Sequence, residues 1–332
     1  MKRLIYLGYY FKELDNSKLN KFLNHVKSVT GKSSVTIWKD IISSSLKYNI
    51  SILDYFYFKF YKLNNHQRET FAGTGFMYEY QLKMNPKRYR DVLENKILFL
   101  NAYKDFVIRD WASIDIIQED ASRLEKLINN SSGRLVAKGS KGQVGAEVKI
   151  LKSNDYTPKS ILEYMKKNNF DLLEEYVVQH PQIMSLSPSG LNTIRLFTQI
   201  DNGNITYLGG RLRITINSEV DNMAAGNPAA CIDIKTGVVE SAAVFSDITI
   251  NEVEKHPVTG VNIVGFKVPF WNEILQMIEK AAFLAPENKS VGWDIAISEK
   301  GPELIEGNHN WCKLLWQLPA KRGMKQEIEK YL

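Results

Sequence analysis

The segment GWDIAISEKGPELIEGN sets Asp294, Glu306 and Asn308 inside two apolar runs that read as neighbouring strands joined by the turn SEKGP. A carboxylate on a buried strand is costly unless it is paired or bound to a cation. Antiparallel pairing of the two runs would bring Asp294 against Glu306. Glu306 and Asn308, two residues apart, share one face of their strand. Two carboxylates and an amide oxygen on one face are hard oxygen donors of the kind Mg2+ takes, with room left for water and phosphate. The same residues also permit a metal-free pair of hydrogen-bonded acids at the end of a sheet.

A second group lies in RLVAKGSKGQVGAEVKIL, where two strand-like runs flank a loop containing Gly139, Ser140, Gly142 and Gly145. Glycines let the backbone approach a bound group closely, and their N–H groups can cradle phosphate oxygens. Lys138, at the end of the first run, is placed to reach the same anion. The loop is not a Walker motif, because the Gly-Lys-Ser/Thr ending and the following helix are missing. Taken alone it is a glycine-rich hairpin. A third stretch, LLEEYVVQHP, reads as a strand with a polar exit. It could offer backbone groups to a flat base and a polar side chain to a ribose hydroxyl, or be a strand and nothing more.

These groups need a scaffold. Residues 1 to about 130 read as mostly helical: SKLNKFLNHVKSV spaces Leu19, Phe22, Leu23 and Val26 as one helix face. ISILDYFYFKFYKL reads as a helix packing its rings into a core, with an amphipathic membrane-surface helix as the alternative. PKRYRDVLENKILFLNAYKDF predicts a further helix, with Pro86 near its start. Beyond about residue 134 come short strand-like runs (RLVAKG, AEVKIL, LLEEYVVQ, TIRLFTQI, ITYLGGRLRITI, AACIDI, GWDIAI, PELIEG), with helices in KSILEYMKKNNF and PFWNEILQMIEKAAFLA. The expected class is α+β. It joins a mostly helical N-terminal portion to a sheet-rich remainder.

Composition bounds the function. The chain has 332 residues, 44% hydrophobic and 24% charged, ordinary for a folded protein of two or three subdomains. A net charge of +6 permits nucleic acid, an anionic membrane surface or acidic small molecules. The absence of a recognisable nucleic-acid motif disfavours the first. MKRLIYLGYYFKELDNSK makes a poor signal peptide because charge returns at Lys12 and Glu13. No run is long enough for a transmembrane segment, which leaves peripheral membrane contact open. Cys231 and Cys312 are far apart and fit a reducing cytoplasm, so a cytoplasmic location is expected.

The order of these motifs resembles the ATP-grasp superfamily. GWDIAISEKGPELIEGN is similar to the corresponding part of the glutamate ligases acting on ribosomal protein and of D-alanine:D-alanine ligase. LNTIRL, DNMAAGN, IDIKTG, HPVTG and VPFW, in that order, resemble the sugar-transfer-associated ATP-grasp proteins, which are related to α-L-glutamate ligases. The resemblance spans roughly residues 60 to 320 and implies two α+β subdomains gripping ATP between sheets: after a mostly helical region at 1–93, a small subdomain with loop and hinge at 94–178 and a catalytic subdomain at 179–332. By resemblance, Lys96 and Lys138 contact the nucleotide phosphates and the loop from Gly139 through Ser140 and Gly142 to Gly145 closes over them. The backbone of Glu174, Glu175, Tyr176 and Val177 holds adenine, and Gln179 is a candidate for the ribose. Asp294 holds one Mg2+, Glu306 bridges two, and Asn308 holds the second. Arg213 and Asn222 stand near the γ-phosphate and the acyl phosphate, with Arg195 a further anion contact.

Two departures from the ligases fall near the acceptor pocket. HNWCKLLW replaces a Ser-Pro-Gly-like turn, and Gly292 stands where D-alanine ligase has an Arg. The implied activity is an ATP- and Mg2+-dependent carboxylate–amine ligase working through an acyl phosphate. Its substrates would be a carboxylate and an amine, small molecules or glycans, in surface polysaccharide or capsule biosynthesis. The alternatives are a phosphotransferase of the same fold and an ATP-binding module without turnover. His256 and His309 are candidates for deprotonating an amine, and both also suit a structural role in turns.

Overall fold

The structure is a computed structural model that describes residues 2–141 and 148–332. The chain opens with helices α1 (Lys2–Lys12), α2 (Asn16–Thr30), α3 (Ser34–Tyr48) and α4 (Ile52–Tyr57). Helix α2 follows the expected pattern: Leu19, Phe22 and Val26 are buried, Asp15 caps the N-terminus by accepting from the Lys18 N–H at 2.9 Å, and Gly31 closes the other end at φ 69°. Tyr55, Phe56 and Phe60 are fully buried, so the aromatic stretch serves the core and not a membrane. Its helix stops after Tyr57 because Lys59 takes a left-handed conformation (φ 53°), and a 3-10 turn follows over Phe60–Lys62.

Helices α5 (Asn65–Glu69), α6 (Thr74–Met84), α7 (Asp91–Glu94) and α8 (Lys96–Ala102) come next. The single helix expected after Pro86 is thus broken into α7 and α8, flanked by 3-10 turns at Lys87–Tyr89 and Lys104–Phe106. Asn95 makes the break: its backbone is extended, and its side chain accepts from the N–H groups of Ile97 (2.9 Å) and Leu98 (3.2 Å), starting a new helix. The restart lets the Lys96 N–H donate to Ser140 O at 2.9 Å, tying α8 to the glycine loop.

The first sheet has strands β1 (Trp111–Ser113), β2 (Arg134–Lys138), β3 (Val148–Lys152) and β4 (Leu172–Glu175), in the order β1-β4-β2-β3 and antiparallel throughout. Helices at Ile114–Glu119, Ser122–Ile128 and Pro158–Lys167 cover it, burying Ile117, Leu124, Leu135, Ile161 and Met165 together. The second sheet has β5 (Ile194–Asp201), β6 (Asn204–Arg213), β7 (Ala229–Ile232), β8 (Ser290–Ser298) and β9 (Gly301–Asn308), in the order β7-β6-β5-β8-β9. Helix Trp271–Ala282 packs on it through Ile274, Ile278 and Ala281.

Packing does not follow the sequence divisions strictly. Helix α8 contributes Phe99, and the following turn Tyr103, to the core of the second sheet. Helix α6 packs Met77, Tyr80 and Met84 with Phe197, Trp311 and Trp316, so it joins the core of the C-terminal part, while Glu79 and Thr74 also bond Tyr6 of α1 and Asp54 of α4. No helix among the described residues is long and apolar enough to cross a membrane.

Candidate active site

The two sheets face each other across a cleft of about 550 Å3, within the usual range for a small-molecule site. From the first sheet it is lined by Lys138, Gly139, Glu174, Glu175, Tyr176 and Val177; from the second by Arg195, Arg213, Asp294, Glu306 and Asn308; and from neighbouring segments by Lys96 and Asn222. Gly142 and Gly145 lie outside the described residues.

The acids sit where strand pairing puts them. β8 and β9 pair Asp294 with Glu306 and Gly292 with Asn308, with a bulge after Asp294. On its other side Asp294 pairs with Arg195 of β5. The Arg195 guanidinium grips both Asp294 carboxylate oxygens, one through Nε and the other through Nη2 at 2.7 Å. Arg213 adds a bond from Nη1 to Asp294 Oδ2 at 2.9 Å and reaches Asp221 with Nη2 at 2.7 Å. Burial pushes the Asp294 carboxyl up, but the Arg195 and Arg213 charges outweigh it and hold it at about 2. Glu306 has no ion pair with a cation among the described residues: burial and the Asp294 charge push its carboxyl up, against a weaker pull from Arg195. Asn308 Nδ2 donates to Glu306 Oε1 at 3.1 Å.

An acid pair with Asp294 buried and Glu306 half-buried, in which one member resists ionisation, is what a divalent cation would relieve, and the donors are hard oxygens. The set therefore fits Mg2+. It consists of two carboxylates and an amide; no group of three His, Cys, Asp or Glu suited to a metal exists among the described residues.

Opposite the acids, Lys138 Nζ lies 2.8 Å from Glu174 Oε1. Burial pushes the Lys138 ammonium down, opposed by the Glu174 charge, and Lys138 lines the same cleft as the acid pair. Glu174 is held in turn by Arg109, whose Nε donates to Glu174 Oε2 at 3.0 Å. Arg109 Nη1 also donates to Glu303 Oε2 at 2.9 Å and Leu304 O at 2.8 Å, on β9. Arg109, which itself lines the cleft, therefore ties the first sheet to the second.

Three expectations change. The main chain of Glu174 is paired on both sides, with Trp111 and with Val136, so it cannot read a base; its buried side chain instead positions Lys138. In the segment after it, the Val177 N–H and C=O make no hydrogen bond to any described residue. Gln179 does not line the cleft: its Nε2 donates to Gly190 O at 2.7 Å and its Oε1 accepts from Asn192 N at 2.7 Å, so its amide is committed to a loop. Ser140 likewise turns away, its N–H and Oγ both bonded to Asp171 at 2.5 Å.

The two histidines separate. His256 is buried; its Nδ1 accepts from the N–H groups of Val258 (3.3 Å) and Thr259 (3.2 Å), which leaves Nε2–H to donate to Thr215 O at 2.9 Å. It braces a turn outside the cleft. His309 lines the cleft, with Nε2 2.8 Å from Glu94.

The family described as sugar-transfer associated ATP-grasp matches residues 76–331. The chain belongs to that family. The fold is the ATP-grasp fold, with the nucleotide cleft between two antiparallel sheets. Among solved structures, the chain is similar to the ATP-grasp ligase PsnB complexed with its minimal precursor (13% identity over 74% of this chain and 61% of that one, TM-score 0.44). It is also similar to D-alanyl-alanine synthetase A from Vibrio cholerae O1 (12%, 72% and 60%, TM-score 0.40) and to an ADP complex of N5-carboxyaminoimidazole ribonucleotide synthetase (9%, 65% and 45%, TM-score 0.40). The chain thus spans about half to three fifths of the length of these enzymes. The curated proteins give no match.

Sequence reasoning missed Arg109, Asp221 and Thr193 in this ATP-grasp cleft. Asp221 accepts from the Thr193 N–H and Oγ1, both at 2.6 Å, and anchors Arg213. The signal for Asp221 was its place beside Asn222. Arg109 showed only as a lone cation in the short run VIRDW. Gly292 also gains a reason. A Cβ there would lie 2.7 Å from Trp311 Cβ and 3.3 Å from Arg195 Cδ, so the glycine leaves room for the Arg195 side chain to pass to Asp294.

Proposed function

We propose that this protein is an ATP- and Mg2+-dependent carboxylate–amine ligase that forms an amide on a sugar-linked acid through an acyl phosphate, in surface polysaccharide synthesis. The observation that carries the reading is the Asp294–Glu306 pair, with Arg213 bonded to Asp294 on the same sheet and Lys138 on the other sheet lining the same cleft of an ATP-grasp fold. Asp294, Glu306 and Asn308 would hold the metal, which supplies charge neutralisation to the nucleotide phosphates. Phosphoryl transfer is mainly a matter of positioning and electrostatics, so no nucleophilic side chain is required.

This chain's residues supply the rest. Lys138, held by Glu174, and Lys96, at the head of α8, present positive charge to phosphate oxygens. Arg213, oriented by Asp221 and Thr193, is fixed beside the acid pair and stabilises charge on the carboxylate undergoing activation. Arg195 is an anion contact only once it leaves Asp294. Val177 offers main-chain groups to the adenine. Tyr57, Met223, Ser246 and Cys312 also line the cleft and would wall its acceptor end, where the first departure from the ligase pattern contributes Cys312.

The test is product analysis. ADP release should require both a carboxylate and an amine, and the product mass should equal their sum less one water. ADP formed with a single phosphorylated product would show a kinase, and nucleotide binding without ADP would show a module without turnover.

A further inference from the structure

We propose that α1 and the start of α3 form a docking surface for an anionic lipid bilayer. This inference does not rest on the ligase reading. Helix α1 buries Tyr10 and half-buries Tyr6 and Leu7, which lie on one side of the helix. Its opposite face is apolar where a solvated helix would be polar: Leu4 is 62% exposed, Ile5 67% and Tyr9 58%. Gly8 lies between them with open space around it, and Lys12 ends the face. The patch continues onto α3, because Phe11 stacks on Trp38 with ring centroids 6.1 Å apart, and Val35, one helical turn before Trp38, is 65% exposed. The aromatic stretch that the sequence nominated for a membrane is buried, whereas this helix is not.

Charge decides the occupant. Residues 1–62 contain eleven Lys and Arg against four Asp and Glu, a net +7, while the whole chain is +6. All the excess positive charge is therefore in α1–α4 and the turn that follows, and the rest of the molecule is close to neutral. Lys12, Lys32 and Lys39 are exposed on the elements that carry the patch or adjoin it. A second copy of this chain would set two such surfaces against each other and be repelled. An anionic bilayer attracts the lysines and takes up the apolar side chains, the combination that holds a helix in the headgroup region. The same helical unit supplies Tyr57 to the lining of the cleft, so docking would bring the cleft near the side of the molecule carrying the lipid contact.

The experiment is cosedimentation of the full chain with phosphatidylcholine vesicles and with mixed phosphatidylcholine–phosphatidylglycerol vesicles, at low and high salt. A double variant, Leu4→Glu with Ile5→Glu, is run in parallel. Both positions are exposed, so the variant should keep its circular dichroism spectrum and its affinity for ATP. The expected result is partition onto the mixed vesicles at least about tenfold stronger than onto neutral ones, weakened by salt and reduced at least about tenfold in the variant. A wild-type chain that stays in the supernatant with mixed vesicles would overturn the proposal, as would binding that the variant does not weaken. A dimer in light scattering that the same variant splits would assign the face to self-association instead.

Discussion

Replacing Glu174 by Gln tests how the cleft is held together. The carboxylate is buried, and its charged partners among the described residues are Arg109 and Lys138, so the substitution strips Lys138 of its ion pair and leaves Arg109 with Glu303 alone. Burial raises this carboxyl, but the two cations win and hold it at about 2. Against an ordinary value near 4.3, at 1.36 kcal/mol for each factor of ten, the charged form contributes about 3 kcal/mol to the folded state. That is the scale expected for removing one partner of a buried ion pair. The sign follows from the depressed value: the contribution is complete above about pH 4.3 and is lost as pH falls toward 2. Urea unfolding of both proteins at pH 7 should therefore show Glu174→Gln less stable by about 3 kcal/mol, with the gap narrowing once pH drops below about 4.3. ATP affinity should fall as well, because Lys138 loses the group that aims it. Equal stability at pH 7, or a gap that stays constant down to pH 3, would refute the assignment of Glu174 as the anchor of Lys138 and Arg109.

Other outcomes follow from the same geometry. Gly292→Ala should cost about 1–3 kcal/mol, since the added methyl meets Trp311 and the Arg195 stem; a thermal melt like that of wild type would show the packing to be looser. Arg195→Met should bind Mn2+ more tightly than wild type without nucleotide, because the guanidinium occupies both Asp294 oxygens; weaker Mn2+ binding in paramagnetic resonance would mean that Arg195 supports the metal and does not compete with it. His256→Ala should destabilise by about 1–3 kcal/mol by orphaning buried main-chain groups, with kcat unchanged; a collapse of kcat in a folded variant would give His256 a catalytic role.

What the sequence revealed was what local pattern encodes. The period of Leu19, Phe22 and Val26 gave the buried face of α2, and the short turn after Ser298 placed Asp294 opposite Glu306. What it hid was set by partners far along the chain. Arg195 and Asp294 are 99 positions apart and meet only because β5 and β8 are neighbours in the sheet. Arg109 meets Glu303 across 194 positions, and no spacing rule reaches that far. Gln179 was misplaced because it follows an irregular exit from β4, where alternation no longer tells which side faces the cleft. The break at Asn95 was visible in principle as a capping residue, but the apolar residues on both sides favoured one continuous helix.

The central claim is that Asp294, Glu306 and Asn308 hold divalent metal against the nucleotide. The most direct measurement is Mn2+ binding, by paramagnetic resonance in the presence of a non-hydrolysable ATP analogue, to wild type and to Glu306→Gln. The account predicts two ions per wild-type chain, loss of that stoichiometry in the variant, and unchanged circular dichroism. A folded Glu306→Gln protein that binds the same number of ions with the same affinity would contradict it.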